Sequence, residues 1–288
     1  MIASETPVRE ALEGAIVAIA AAGCESPRLD AELLVARALG VERERLLIGT
    51  AAGAPGRELT VSGPAVRAVQ EAVRRRAVER EPVAYITGFR AFRRLFLAVD
   101  PRVLIPRPET ELLVELLVER LPHGAHVLDV GTGSGAIALA LADERPDLTV
   151  SGSDVSLDAL AVAKANARRL GLDTVRWLHA DLLAGVPDEF DAIVSNPPYV
   201  ADGDRSGLAP EIVRHEPPVA LFAGPDGLAL VRDLVSQVAV YARARAIAIE
   251  IGAGQAPAVA GLLSKAGFAQ VDVEPDLAGI ERVVLGSR

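Results

Sequence analysis

Val127-Leu128-Asp129-Val130-Gly131-Thr132-Gly133-Ser134-Gly135-Ala136 runs from an apolar segment into a turn where glycine takes every second position. A short apolar run bounded by glycine reads as a buried strand, and the Ala- and Leu-rich stretch up to Ala142 as the helix after it. Such a strand-to-helix turn marks the edge at which an open α/β sheet binds its ligand. Glycines let backbone approach that ligand, and the helix N-terminus offers free N–H groups. Asp154, ending the next apolar run, is placed to accept from ribose hydroxyls. Gly131, Gly133 and Ala136 also satisfy the Gly-x-Gly-x-x-Ala form of a dinucleotide site. By itself the stretch leaves a nicotinamide dinucleotide, S-adenosylmethionine and a purely structural turn all open.

Outward from it, apolar runs alternate with helical patterns. Strands are predicted at 126–130, 148–153, 175–179, 191–195 and 246–251, with helices ending at Ala142, Leu170, Tyr241 and Ala266. That alternation implies a parallel sheet with helices on both faces. The last runs, 269–274 and 282–285, are near enough to pair as an antiparallel hairpin on the sheet edge.

The apolar run before Ser195 hands over to Asn196-Pro197-Pro198-Tyr199. Each proline holds φ near -65° and removes an N–H, leaving carbonyls that face a pocket without a neighbouring donor. The Asn196 side-chain oxygen and the Pro197 carbonyl suit the two N–H bonds of a substrate amino group, and Tyr199 suits its flat face. A rigid turn closing a core strand is the competing reading. Three features favour S-adenosylmethionine over a dinucleotide. Asp129 before the loop suits a cationic amino-acid end, Gly135 widens the turn, and the grip at Asn196 has a use in methyl transfer but none in hydride transfer. Asp181, after the third strand, falls beside the adenine with Leu182 as apolar cover; a turn-capping role for Asp181 is the alternative.

Composition excludes other classes. Half of the 288 residues are hydrophobic, enough for a full core. No apolar run reaches the roughly 18 residues of a membrane span, and the N-terminus is unlike a signal peptide. One cysteine, Cys24, fits a reducing cytoplasm. The four histidines lack partners at ligand spacing, so no metal is expected. A net charge of -9 argues against stable nucleic-acid binding. Residues 67–107 nevertheless hold ten arginines against four acids, a local +6 that leaves -15 elsewhere. Within them Arg74-Arg75-Arg76 reads as a solvated helix face or as a docking surface for an acidic or RNA-associated partner.

Residues 1–82 read as an all-helical domain, with Thr6-Pro7 and Ser26-Pro27 starting helices and Gly23 and Gly40 ending them. A β-hairpin linker is predicted over 83–105, and the second domain over 106–288. The connection 200–225 is long for a compact α/β domain and is expected to close over substrate.

With these residues in hand, the chain resembles the PrmC/HemK protein-(glutamine-N5) methyltransferases. The likeness runs nearly end to end: 30–34, 82–88, Leu104-Ile105-Pro106-Arg107-Pro108-Glu109-Thr110-Glu111, the glycine loop, 195–199, Glu250-Ile251-Gly252 and 276–279. The Asn-Pro-Pro-Tyr tetrapeptide is shared with adenine-N6 methyltransferases of nucleic acid, whereas 105–111 behind a helical domain is more specific. A sister family, acting on a ribosomal-protein glutamine, typically has Ser-Pro where this chain has Pro108-Glu109. The resemblance implies a Rossmann-like class I S-adenosylmethionine-dependent methyltransferase with a seven-stranded sheet, its last strands antiparallel, behind a helical substrate-docking domain. It implies methylation of the glutamine in the Gly-Gly-Gln motif of class I peptide chain release factors, with S-adenosylhomocysteine as product, by a cytoplasmic monomer. Asp129, Gly131, Thr132, Gly133, Ser134, Gly135, Asp154, Asp181, Leu182 and Asn196 would then hold the cofactor. Arg107, Glu109, Thr110, Asn196, Pro197, Pro198 and Tyr199 would hold the substrate, with Asn196, Pro197 and Tyr199 catalytic.

Overall fold

Gly23 and Gly40, at φ of 70° and 65°, lie just past α1 (Val8–Ala21) and α2 (Pro27–Leu39) and end them. The computed structural model describes residues 6–50, 60–187, 189–241 and 243–288. It divides into two compact units, Met1–Gly88 with Ala209–His215, and Phe89–Leu208 with Glu216–Arg288.

The first unit also holds α3 (Arg43–Thr50), α4 (Gly63–Ala77), α5 (Val83–Thr87) and a two-residue ladder of β1 (Thr6–Pro7) with β2 (Thr60–Val61). Val8, Leu12, Ala15 and Ile19 recur at helical spacing on α1 and pack with Leu34 and Val35 of α2 and Val69 of α4. Ser26 and Pro27 stand at N-cap and N1 as expected, but α1 starts after Pro7, with Thr6 drawn into the ladder. The arginine run is solvated at Arg74, half-buried at Arg75 and buried at Arg76, and each of the three is paired with acids. Arg74 binds Glu71 and Glu79, and Arg75 binds Glu81. Arg76 is 6% exposed and donates to Asp30 (2.7 Å) and Glu211 (3.1 Å). Arg80 donates to Glu211 (2.8 Å) and to the Ala22 carbonyl (2.7 Å). Glu211 lies on α9 (Pro210–His215), a segment of the long connection.

The second unit opens with the hairpin β3 (Phe89–Phe92) and β4 (Leu95–Ala98), six residues later than the sequence pattern placed it. Residues 83–87 form α5 instead, closed by Gly88 at φ 80°. The aromatics that suggested a strand are split, Tyr85 buried on the helix and Phe92 buried on the hairpin. There follow α6 (Thr110–Arg120), β5 (His126–Val130), α7 (Ala136–Glu144), β6 (Thr149–Asp154), α8 (Leu157–Leu170), β7 (Arg176–His179) and β8 (Ala192–Ser195). After the long connection come α10 (Ala229–Val238), β9 (Ala246–Glu250), α11 (Ala256–Lys265), β10 (Gln270–Pro275) and β11 (Glu281–Ser287). The strand order is β10-β11-β9-β8-β5-β6-β7. β5 to β9 are parallel, and β11 runs antiparallel to both β9 and β10. The expected edge hairpin forms with its second strand inward, because Val283, Val284 and Leu285 of β11 are buried while β10 is half-buried.

Successive side chains leave a strand on opposite faces, and the core divides accordingly. Val127, Val194, Ala248 and Val283 pack with Leu113 and Leu117 of α6, Ile137 and Leu141 of α7 and Ala167 of α8. Leu128, Ile193, Ile249 and Val284 pack on the other face with Val231 and Leu234 of α10 and Val259 and Leu263 of α11. Because the strands are parallel, β5, β6, β7 and β8 all end on one edge.

Candidate active site

On that edge the glycine loop follows β5. Gly131, Gly133 and Gly135 adopt φ of 74°, 55° and 83°. A Cβ added at Gly131 or Gly133 meets nothing within 4 Å, so there the backbone borders open space. A Cβ at Gly135 would lie 3.1 Å from Trp177, whose ring packs behind the loop. The Ser153 carbonyl accepts from Gly131 N–H (2.9 Å) and Thr132 N–H (2.8 Å), tying the loop to β6. Thr132 and Ser134 are buried. Thr132 donates to Asp129, and the Ser134 carbonyl accepts from Asn166 (3.0 Å). Asn166 also donates to and accepts from the backbone of Ala98, so one buried amide joins hairpin, α8 and loop.

Asp129 is fully buried. Its Oδ2 accepts from the Thr132 hydroxyl (2.6 Å) and Ala138 N–H (3.2 Å), whereas Oδ1 has no partner among the described residues. Burial pushes its pKa up to about 7, against those two hydrogen bonds. Asp154 accepts from Gly133 N–H (2.9 Å) and Ser156 N–H (2.9 Å), which fixes its carboxylate beside the loop with lone pairs to spare. Asp181 is exposed. Leu182 next to it holds φ 51°, a conformation that a bulky side chain avoids without tertiary constraint.

At the end of β8 the Ser195 hydroxyl donates to the Val130 carbonyl (2.7 Å), placing the Asn-Pro-Pro-Tyr turn against the glycine loop. Asn196 Nδ2 donates to the Thr110 hydroxyl at 3.0 Å. Its Oδ1 and the Pro197 carbonyl have no partner among the described residues. The Tyr199 carbonyl accepts from Gln255 Nε2 (3.0 Å), and Gln255 Oε1 accepts from Gly252 N–H (2.9 Å). A Cβ at Gly227 would overlap the Tyr199 carbonyl oxygen, and one at Gly252 would lie 3.1 Å from the Tyr199 ring.

Thr110, Arg107 and Glu109 are the other residues expected to touch substrate. Thr110 is 3% exposed and accepts from Asn196 Nδ2. Arg107 is engaged by the buried Glu216 at 2.5 Å, and Glu216 also accepts from Ile105 N–H (3.3 Å). Glu109 is exposed. The connection 200–225 is not a featureless flap. It carries two 3-10 turns and α9, and a parallel bridge of Val200 with Phe222 draws its ends together. Sequence reasoning gave no role to Gln255, Glu216, Trp177 or Asn166, and quoted Glu250 only within a likeness. The contacts that tie Gln255, Glu216, Trp177 and Asn166 to the site reach partners far along the chain, so no local pattern marks them.

Among the described residues no group of His, Cys, Asp or Glu could hold a metal ion, and no helix is long and apolar enough to cross a membrane. The site fits S-adenosylmethionine. A buried acid with one unpartnered oxygen suits its ammonium, the open loop glycines admit its methionine part, and Asp154 suits its ribose.

Comparison with known proteins accords with this geometry. Residues 10–88 match the PrmC N-terminal domain family, and residues 108–221 match the Methyltransferase small domain family. The release factor glutamine methyltransferase of Deinococcus radiodurans is 40% identical over 285 residues, 98% of each chain. The Rhodospirillum rubrum protein of that name is 44% identical over 271 residues, 93% of this chain and 81% of its own. In fold alone, a methyltransferase from Pyrococcus furiosus is similar at 18% identity and a TM-score of 0.51, over 66% of this chain and 87% of that one. On sequence along nearly its whole length, the chain belongs to the release factor glutamine methyltransferase family.

Proposed function

We propose that this protein transfers a methyl group from S-adenosylmethionine to the side-chain amide nitrogen of the glutamine in the Gly-Gly-Gln motif of class I peptide chain release factors. The Asn196–Thr110 hydrogen bond carries the reading, because it turns the Asn196 oxygen outward beside an open Pro197 carbonyl. A carboxamide nitrogen is a poor nucleophile, since its lone pair is delocalised into the carbonyl. Bound S-adenosylmethionine supplies an electrophilic methyl carried on a sulfonium. The Asn196 oxygen and the Pro197 carbonyl accept the two amide hydrogens and hold the nitrogen in line with that methyl. Positioning of this kind supplies up to several kcal/mol. Acceptor dipoles aimed at the charge growing on nitrogen add a transition-state contribution. Tyr199 covers the flat face of the amide, and no general base is needed because the N–H becomes acidic as the methyl arrives. Arg107 and Glu109 border the substrate path, and the first unit docks the protein substrate.

Intact-mass and peptide mass spectrometry of a release factor incubated with enzyme and donor tests this. One added methyl on the motif glutamine is expected; methyl incorporation into DNA or RNA with an unmodified release factor would overturn it.

A further inference from the structure

Glu250 closes β9 directly beneath this site and has no place in the chemistry just described. It is 0% exposed, and neither carboxylate oxygen has a hydrogen-bond partner of good geometry among the described residues. A buried carboxylate left so is costly and is rarely retained without a use. Burial pushes it up to about 7, while the Thr110 hydroxyl and Arg282 facing it favour the charged form. Arg107, Glu109 and Tyr199 are the other titratable groups around it.

The protons can be assigned by elimination. Asn196 Nδ2 is a donor, so the Thr110 oxygen accepts from it and must aim its own proton elsewhere. Ile249 pairs with Ser195, so Asn196 and Glu250 follow on neighbouring strands, and the Thr110 hydroxyl is near enough to favour the Glu250 carboxylate, although no hydrogen bond between them is closed in this structure. We infer that Glu250, acting through the Thr110 hydroxyl, is the positioning residue that decides which end of the Asn196 amide meets the substrate. With the carboxylate ionised the order is Asn196 N–H to Thr110, then Thr110 O–H to Glu250, and the Asn196 oxygen is left for the substrate amide. With Glu250 protonated its O–H donates to Thr110, whose proton turns to Asn196. The amide then meets that proton with Oδ1 and presents its NH2, a donor facing donors. The inference rests on the glutamine reading of the site.

The test compares wild type, Glu250→Gln and Glu250→Leu from pH 5.5 to 9, with donor and release factor saturating so that Asp129 acts on cofactor affinity and not on kcat. Wild-type kcat is expected to rise with pH through about 7 while KM for the release factor stays flat. Glu250→Gln, which still accepts from Thr110, should keep kcat within about 10-fold and lose that limb; Glu250→Leu should lose about 100-fold. The ligand-free protein gives a second readout. The Asn196 side-chain amide NMR signals, identified by their loss in Asn196→Ala, should shift across the same pH range in wild type and stand still in Glu250→Gln. An unchanged pH limb in Glu250→Gln, wild-type kcat in Glu250→Leu, or pH-independent Asn196 signals in wild type would each overturn the inference. A wild type that binds donor yet never methylates a release factor sinks the glutamine reading instead, while the NMR result still decides the proton relay.

Discussion

Asn196 carries two tasks on one small amide: its nitrogen anchors to Thr110 and its oxygen faces outward. Removing it deletes an acceptor needed only when charge grows on the substrate nitrogen. Asn196→Ala should therefore lower kcat by about 10³-fold, in the range of a lost oxyanion-type contact, while the dissociation constant for S-adenosylmethionine in calorimetry stays within a few fold. Asn196→Asp keeps an acceptor but adds a charge that attracts the sulfonium, so it should bind donor more tightly and turn over more slowly. The importance of Asn196 is legible in the sequence because the two prolines after it permit little but a rigid turn. Its orientation is not legible, since Thr110 lies 86 positions away and the family resemblance made it a candidate to touch substrate.

Among elements, the turns around the site are braced in two different ways, and glycine substitutions separate them. Gly133 has φ 55° and open space where a side chain would stand. Gly133→Ala should cost about 1 kcal/mol of backbone strain and weaken cofactor binding by filling that space. Gly227, at φ 71°, is pressed against the Tyr199 carbonyl. Gly227→Ala should shift the turn that holds Tyr199, cutting kcat and lowering stability by more than Gly133→Ala does; equal denaturation midpoints for the two would contradict this. The arginine run offers a parallel contrast. Arg74→Ala, on an exposed pair, should leave the urea midpoint essentially unchanged, whereas Arg76→Ala strands the carboxylate of Asp30, leaves Glu211 with Arg80 alone, and should cost about 3 to 5 kcal/mol in urea unfolding. Three adjacent arginines look alike in a sequence. Burial, which depends on α2 and α9, makes one of them structural.

For the whole molecule, two groups of acids set stability against pH with opposite signs. Asp129 and Glu250 are both raised to about 7 by burial, so the native state holds protons that the unfolded chain has released. Their contribution is complete below the ordinary carboxylate range and is lost as pH rises through about 7. Asp226, lowered to about 2 chiefly by its hydrogen bonds from Arg232, and Glu144, lowered by Arg93, act the other way. Their stabilisation is present above the ordinary carboxylate range and is lost on acidification. Ligand-free protein should thus be most stable between about pH 4 and 5, where the two effects cross, and lose several kcal/mol by about pH 8 in chemical denaturation. Asp129→Asn combined with Glu250→Gln should flatten that decline; a decline unchanged in the double variant would place its origin elsewhere.

The sequence by itself determined the sheet, its order of strand and helix, the glycine loop and the Asn-Pro-Pro-Tyr turn. These are local facts: period, glycine and proline act within a few residues, and parallel strands must end on one edge. The tertiary structure alone decided what stands behind them. It set β11 inside β10, made residues 83–87 a helix, and gave α9 to the first unit. It also aimed the Asn196 amide through Thr110, and buried Glu250 without a hydrogen-bond partner among the described residues. Each depends on burial and on partners tens of residues apart, which only the closed chain brings together.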